Sequence, residues 1–239
     1  MNWKKINHEK AQSVKKADAI IYQSRYSEKI YHKLVCKPDK LETVIWNGAD
    51  PKEFITGKIE RINKYHFLAS TRVWLNQKRL KQIIRAFLEA DISESRLFVC
   101  GDDQGTWKKY KNHKNVWFSK LSVHPRYLAF MYKLCDAMIH LTYVDACPNS
   151  VVEAQVAGCP VICTDQGGTK EILRMGTILR DKPFKYKPID LDKPPKVDRG
   201  ILIEAMKMAT TWEFNKTAAK DLHIDNVAKR YLDFFERLL

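Results

Sequence analysis

The sequence predicts an α/β fold: a parallel sheet with helices packed on both of its faces. Three observations carry that expectation. Short, nearly all-apolar runs recur along the chain without the polar alternation of a half-exposed strand, as strands buried on both faces require. Segments between them place apolar residues at a period of about 3.6 residues, so strands and helices alternate. At 239 residues and 45% hydrophobic, the chain can bury a core large enough for such a sheet. Sheets of this kind bind ligands outside the carboxyl ends of their strands, and function is sought there.

Ala19–Tyr22 and Thr43–Trp46 are the first strand candidates. Asn47-Gly48-Ala49-Asp50-Pro51 follows at once and is a strong turn signal that marks a domain boundary. Phe67–Ala69 is the next strand. Lys78–Ala90 is then a helix, because Leu80, Ile83, Ile84 and Phe87 share one face. Leu97–Cys100 and Val116–Phe118 are strands, Leu128–Leu134 a helix, and Ala137–His140 a strand. Ser150–Ala157 is a helix stopped by Gly158 and Pro160, and Val161–Cys163 is the last strand. Asp181–Asp198 carries Pro183, Pro188, Pro194, Pro195 and five lysines, and reads as an extended basic surface loop. Asn226–Leu239 sets Val227, Tyr231, Phe234, Phe235 and Leu238 at helical spacing.

Charge narrows the partners. Lysine and arginine number 42 against 28 acids, a formal net charge of +14, which favours nucleic acid, acidic lipid surfaces or phosphorylated small molecules. No apolar run approaches the roughly 18 residues needed to cross a bilayer, and MNWKKINHEK lacks the apolar core of a secretion signal, so a cytoplasmic chain is expected. The six cysteines form no C-x-x-C pair and fall mostly in apolar runs, so buried free thiols are expected and a zinc site is not. Asp102-Asp103 reads as a solvated acidic pair, His140 as a satisfied core histidine, and Lys108–Asn115 as a solvated basic loop.

The chemistry concentrates in Asp145–Ile172, DACPNSVVEAQVAGCPVICTDQGGTKEI. Ser150-Val151-Val152-Glu153 fits a capping box, which would give Glu153 a purely structural task. The same helix start, however, follows a buried strand and so stands at the ligand edge of the sheet. Free N–H groups and the helix dipole attract phosphate there. Asp145 and Glu153 flank that turn, and carboxylates accept readily from sugar hydroxyls. Hydroxyls on either side of a diphosphate describe a nucleotide sugar.

This stretch resembles the C-terminal, nucleotide-sugar-binding half of retaining GT-B glycosyltransferases of family 4, the glycosyl transferases group 1. Asp145-x7-Glu153 matches their E-x7-E, "AGCPV" their A-x-G-x-P-V, and Gly167-Gly168-x-x-Glu171 their G-G-x-x-E. "ADAIIYQSRYSEKIY", "VIWNGADPKEF", "RVWLNQKRLKQIIRAF" and "RLFVCGDD" extend the resemblance from Ala17 to about Gly176. It implies a Rossmann-like sheet and a division into residues 1–46, a remnant of the first GT-B half with its linker, 47–220, the donor-binding domain, and 221–239, a terminal helix.

The resemblance also implies roles. Arg72 and Lys78 would hold the donor diphosphate, and Asp145 would sit beside the transferred sugar. Asn149, Ser150, Val151 and Val152 would offer backbone N–H groups, and Glu153 would accept from ribose hydroxyls. Gly167 and Gly168 would let the backbone pass close to the site. No metal or cofactor is implied beyond a UDP- or GDP-linked donor. Two departures stand out: the family's first glutamate is Asp145, and a glycine near its base pocket is Lys120. The acceptor-binding half is expected to be missing or a separate chain, leaving this one weakly active by itself. An acidic membrane surface is compatible with the charge, and nucleic acid is disfavoured as a partner. A non-catalytic nucleotide-sugar module or a basic nucleic-acid scaffold is the alternative reading.

Overall fold

The computed structural model describes residues 3–54, 63–119, 123–185, 191–213 and 217–239. The chain opens with helix α1 (Trp3–Lys16), strand β1 (Ala19–Tyr22), helix α2 (Arg25–Leu34) and strand β2 (Leu41–Val44). β1 and β2 pair in parallel as a two-stranded sheet. β2 starts earlier than its apolar run because Glu42 pairs with Ile20 on the ladder while its carboxylate takes a 2.6 Å hydrogen bond from His32. Ile45 N–H still donates to Tyr22 O at 2.9 Å, so the edge continues past the formal strand.

The main body runs β3 (Tyr65–Val73), α3 (Leu80–Ala90), β4 (Ser95–Asp102), α4 (Trp107–Tyr110), β5 (Val116–Phe118), α5 (Pro125–Leu134), β6 (Ala137–His140), α6 (Asn149–Val156), β7 (Val161–Thr164), β8 (Gly176–Leu179), α7 (Arg199–Ala209) and α8 (Ile224–Glu236). Its six strands are all parallel, in the order β5-β4-β3-β6-β7-β8. The fold is thus the expected α/β one, a parallel sheet between helical layers. The order runs outward from β3 in both directions, the doubly wound arrangement of a dinucleotide-binding sheet.

Strand alternation divides the core in two. Leu68, Met138, Val161 and Cys163 face α5 and α6 with Tyr132, Val151 and Val152. Phe67, Ala69, Leu97, Val99, Ile139 and Ile162 face α3 and α7 with Ile83, Ile84, Phe87, Leu202 and Met206. Each large side chain sealed here contributes about 1.5–3 kcal/mol of transfer free energy, which is why the apolar runs dictate the layers.

Differences from the sequence reading have local causes. β3 and β4 outrun their apolar segments because buried His66, Ser70 and Ser95 extend them; His66 N–H donates to Asp136 Oδ2 at 2.7 Å. β8 lies at the sheet edge, begins on a glycine and buries only Leu179, so it leaves no apolar run. α3 begins at Leu80 rather than Lys78. A 3₁₀ turn, Asn76–Lys78, comes first, and Arg79 breaks the two apart with φ +59°. Within Asp181–Asp198, Asp181 is buried rather than on the surface, and Val197 N–H is fixed to Gln82 Oε1 at 3.0 Å; Pro188 lies outside the described residues. Asp103 is also buried and accepts from Trp107 N–H at the start of α4, whereas Asp102 is exposed.

The terminal helix α8 returns to the start of the chain: Val227 and Phe234 pack on Ile45, with Ala19, Ile21 and Leu41 around them. Phe235 and Leu238 of the expected stripe stay exposed. The Asn47–Pro51 turn and the start of α8 are tied by Ala49 N–H to Leu222 O and Ile224 N–H to Ala49 O, both 3.0 Å. All six cysteines are free thiols, five of them buried. Among the described residues no helix is long and apolar enough to cross a membrane.

Candidate functional site

The strand order reverses between β3 and β6, so their carboxyl ends form the switch point at which such sheets bind ligands. β3 delivers Thr71 and Arg72 there, and β6 delivers His140. The two following connections are bolted together. Tyr143 N–H donates to Gln77 O at 3.0 Å, and Arg79 Nη1 donates to Leu141 O at 3.1 Å. Arg79 also grips Asp181 with both terminal nitrogens, at 2.6 and 3.1 Å, and stacks over the Tyr143 ring at 5.1 Å. This buried pair holds the Asn76–Lys78 turn at the mouth of the sheet.

Lys78 is therefore positioned rather than free. Its Nζ donates to Thr71 Oγ1. Burial lowers its pKa, and the Asp145 carboxylate opposes that shift. Asp145 answers in kind: burial raises its pKa, while Lys78 and the N–H groups of Ala146 and Cys147 pull it down. The ammonium and the carboxylate thus feel each other's charge at the switch point. His140 places its Nε2 3.9 Å from Asp145 Oδ2, and that nitrogen has no hydrogen-bond partner among the described residues. Burial and then the Lys78 charge lower its pKa to about 3, so the ring is neutral near pH 7 and its approach to Asp145 is not an ion pair. The core histidine of the sequence reading is buried as expected, but its Nε2 has no partner among the described residues.

Gly167 and Gly168 lie directly on this carboxylate's backbone. Gly168 N–H donates to Asp145 O at 2.7 Å. A Cβ on Gly167, whose φ is +94°, would come 2.5 Å from Asp145 O, and one on Gly168 would come 1.8 Å from Ala146 O. Only glycine lets the two loops pass this closely. Glu171, three residues on, was given no role by the sequence reading. It accepts from Arg25 N–H and Tyr26 N–H at 2.8 Å each, at the N-terminus of α2, and from Trp46 Nε1 at 3.4 Å. Its acid in the G-G-x-x-E run was visible; its partners, far away in sequence, were not.

The helix that follows Asp145 starts differently from the capping-box expectation. Pro148 is the N-cap of α6, and no side chain caps it. Val151 and Val152 N–H both close onto Pro148 O, at 3.0 and 3.2 Å, while their side chains are sealed in the core. Asn149 and Ser150 thus supply the N–H groups that precede the helical ladder. Asn47 steadies this turn, donating to Cys147 O at 3.1 Å and to Asn149 Oδ1 at 2.6 Å.

Released from capping, the half-buried Glu153 accepts from Tyr132 OH at 2.9 Å. Burial raises its pKa against that hydrogen bond, and nearby Glu53 adds to the rise. It lines a cleft of about 720 Å³ with Lys52, Phe54, His124, Arg126 and Tyr132. Arg72 stands exposed at the end of β3, beside Thr71. The structure therefore joins Asp145 to the glycine pair, sets Lys78 on Thr71 at the same sheet edge, sets Glu153 on the cleft beside α5, and leaves Arg72 exposed at the end of β3. Lys120 lies outside the described residues. Glu28, His32 and Glu42 have metal-ligand spacing, but they lie on α2 and β2, where His32 bonds Glu42 and Arg25 bonds Glu28 at 3.0 Å.

Comparison with known proteins identifies the family and the fold. The family model of glycosyl transferases group 1 matches residues 51–182, more than half of the chain. No curated protein sequence matches it. Among solved structures, the sucrose-phosphate synthase from Thermosynechococcus elongatus superposes with a TM-score of 0.73 at 19% identity, over 96% of this chain and 60% of its own. The lipopolysaccharide outer core galactosyltransferase WaaB, in its apo form, gives 0.69 at 16% identity, over 93% and 63%. Anabaena HepE in complex with UDP-glucose gives 0.68 at 17% identity, over 93% and 64%. At these identities the likeness is one of fold, and the fold is that of GT-B glycosyltransferases. The chain spans about 60% of the length of the first two.

Proposed function

The chain belongs to the glycosyl transferases group 1 family, and from that premise we propose that its six-stranded unit is the donor-binding half of a retaining, family 4-like glycosyltransferase. It grips a nucleotide-diphosphate sugar. The observation that carries this reading is the gathering of Lys78, held on Thr71 at the end of β3, and Asp145, held by Gly168 just beyond β6, at the switch point: a cation suited to phosphate on the same sheet edge as a carboxylate suited to hydroxyls.

In this reading Lys78 and the rim guanidinium of Arg72 take the diphosphate, Arg72 through paired N–H bonds and Lys78 as a compact charge. The Asn149 and Ser150 N–H groups add to them at the start of α6. As the bond between sugar and diphosphate breaks, its electron pair stays on the diphosphate. Preorganised donors stabilise that charge without reorganising. Asp145 holds the transferred sugar. Glu153, steadied by Tyr132, accepts from the ribose, and the cleft beside it houses the nucleoside. Arg72 and Lys78 supply the positive charge, so the scheme uses no metal ion or cofactor. The complex of Anabaena HepE with UDP-glucose supports a UDP-linked donor, with GDP-linked sugars as the other arm of the test.

The acceptor is held by further polypeptide packed beside β1 and β2. Two strands alone make a marginal sheet, and the structural neighbours continue well beyond the matched region. The net charge of +14 supports work at an acidic membrane surface. Titration calorimetry with UDP-, GDP- and ADP-linked sugars tests the reading, with micromolar binding of one donor class expected. Absence of nucleotide-sugar binding, together with tight salt-sensitive binding of duplex DNA, would replace it with the nucleic-acid scaffold.

A further inference from the structure

We infer that His140 reads a hydroxyl of the donated sugar: its Nε2, buried at the carboxyl end of β6 near Asp145 and without a protein partner among the described residues, takes its hydrogen bond from the ligand. The inference rests on the donor-binding reading above and adds to it a residue that chooses among sugars.

A buried polar atom with no partner is uncommon, because desolvation is not repaid by any bond. His140 is 7% exposed, and its Nε2 has none among the described residues. The nearest acidic oxygen, Asp145 Oδ2, is 3.9 Å away, too far for a hydrogen bond. The ring stands at the end of β6, where the sheet changes direction, in an otherwise apolar strand of Ala137, Met138 and Ile139. Packing alone would be served by leucine at that place. The orphaned nitrogen is therefore a cost carried at the position where a ligand would remove it.

Charge selects the kind of group. A cationic imidazole at this sheet edge would suit phosphate. Burial and the Lys78 ammonium instead keep the ring neutral. A neutral ring nitrogen matches a neutral hydroxyl, which can donate or accept. The phosphates fall to Lys78 and Arg72, leaving the sugar for His140 and Asp145. Sites built to bond a buried hydroxyl reject ligands that lack it far more strongly than apolar pockets reject an extra methylene. His140 is thus placed to set sugar choice rather than diphosphate affinity.

The test compares wild type with His140→Leu and His140→Asn by calorimetry and thermal unfolding. The probes are UDP-glucose, UDP-galactose and GDP-mannose, each with its free nucleoside diphosphate. We expect His140→Leu to unfold at a higher temperature than wild type without ligand. It should bind the nucleoside diphosphate within about threefold of wild type and the matching nucleotide sugar at least tenfold more weakly. His140→Asn, which keeps a polar group, should recover part of the sugar affinity. A lower unfolding temperature for His140→Leu would show that the ring is satisfied within the protein, and would overturn the inference. So would equal losses for diphosphate and nucleotide sugar, or no loss for either. If wild type binds none of the nucleotide sugars, the donor-binding reading fails and this inference falls with it; if wild type binds and the variants match it, only this inference fails.

Discussion

Replacing Asp181 with alanine strands a guanidinium inside the protein. Arg79 and Asp181 have fully buried side chains, joined by two hydrogen bonds of 2.6 and 3.1 Å. After the change, Arg79 Nη1 keeps only Leu141 O, and its Nε already lacks a partner. Truncating one member of such a pair costs about 3–5 kcal/mol, because the other charge stays buried without compensation. For a chain of this size each kcal/mol moves the unfolding midpoint by about 2–4 °C, so a fall of about 6–20 °C is expected. The effect extends to binding. Arg79 adjoins Lys78 and is held at φ +59°, so loosening it frees the turn that sets Lys78 on Thr71. Nucleotide-sugar affinity should drop although neither residue touches the ligand in the proposed site. The double variant Arg79→Met/Asp181→Leu removes both desolvated charges and should regain much of the lost stability. Urea unfolding followed by tryptophan fluorescence, run as a double-mutant cycle, measures these terms. Single variants within about 1 kcal/mol of wild type, or a double variant as unstable as the summed singles, would refute the claim that this pair holds the turn.

Further outcomes follow from the same geometry. Lys78→Ala and Arg72→Ala should each lower turnover, measured with an acceptor-competent complex, by about 10²–10³-fold, the usual cost of one lost donor to a developing anion; wild-type rates would remove both from the site. Gly168→Ala drives a Cβ to 1.8 Å from Ala146 O, so it should cost about 1–3 kcal/mol or more in thermal unfolding and weaken donor binding by displacing Asp145. Glu171→Ala leaves the Arg25 and Tyr26 N–H groups without their acceptor and should cost about 1–3 kcal/mol, read by hydrogen exchange as earlier opening of α2. His140 has a folded pKa near 3, below its ordinary 6.5, so the unfolded chain takes up a proton that the folded chain refuses. Its contribution is present above pH 6.5 and is lost as pH falls towards 3, at about 1.4 kcal/mol per pH unit. Wild-type stability should therefore fall more steeply than that of His140→Leu between pH 6 and 4, and parallel curves would show that the ring does not titrate as buried.

Legibility in the sequence followed burial. Phe67–Ala69, Ala137–His140 and Val161–Cys163 announced themselves because a strand covered on both sides must be apolar throughout. β8 did not, since an edge strand that buries only Leu179 has no such constraint. α7 spaces Leu202, Ala205, Met206 and Ala209 along its buried side, a helical signal that the composition of the preceding proline-rich segment overshadowed. At the site, Asp145, Glu153 and Gly167-Gly168 were readable as a motif. Their contacts were not: Glu153 bonds Tyr132 instead of capping α6, and the glycines lie on the Asp145 backbone.

By itself, the sequence determined that strands and helices alternate, which faces are apolar, that acids flank a phosphate-attracting turn, and that the chain is strongly basic. Those are local properties, carried by neighbours a few residues apart. Only the tertiary structure decided that Arg79 reaches across 102 residues to Asp181, that Glu171 ties down α2 from 146 residues away, and that His140 is left unsatisfied beside Lys78 and Asp145. Such pairings cost the chain nothing in local pattern: an arginine and an aspartate look alike whether they meet in the core or face water. Their partners exist only once the sheet has brought distant strand ends to one edge.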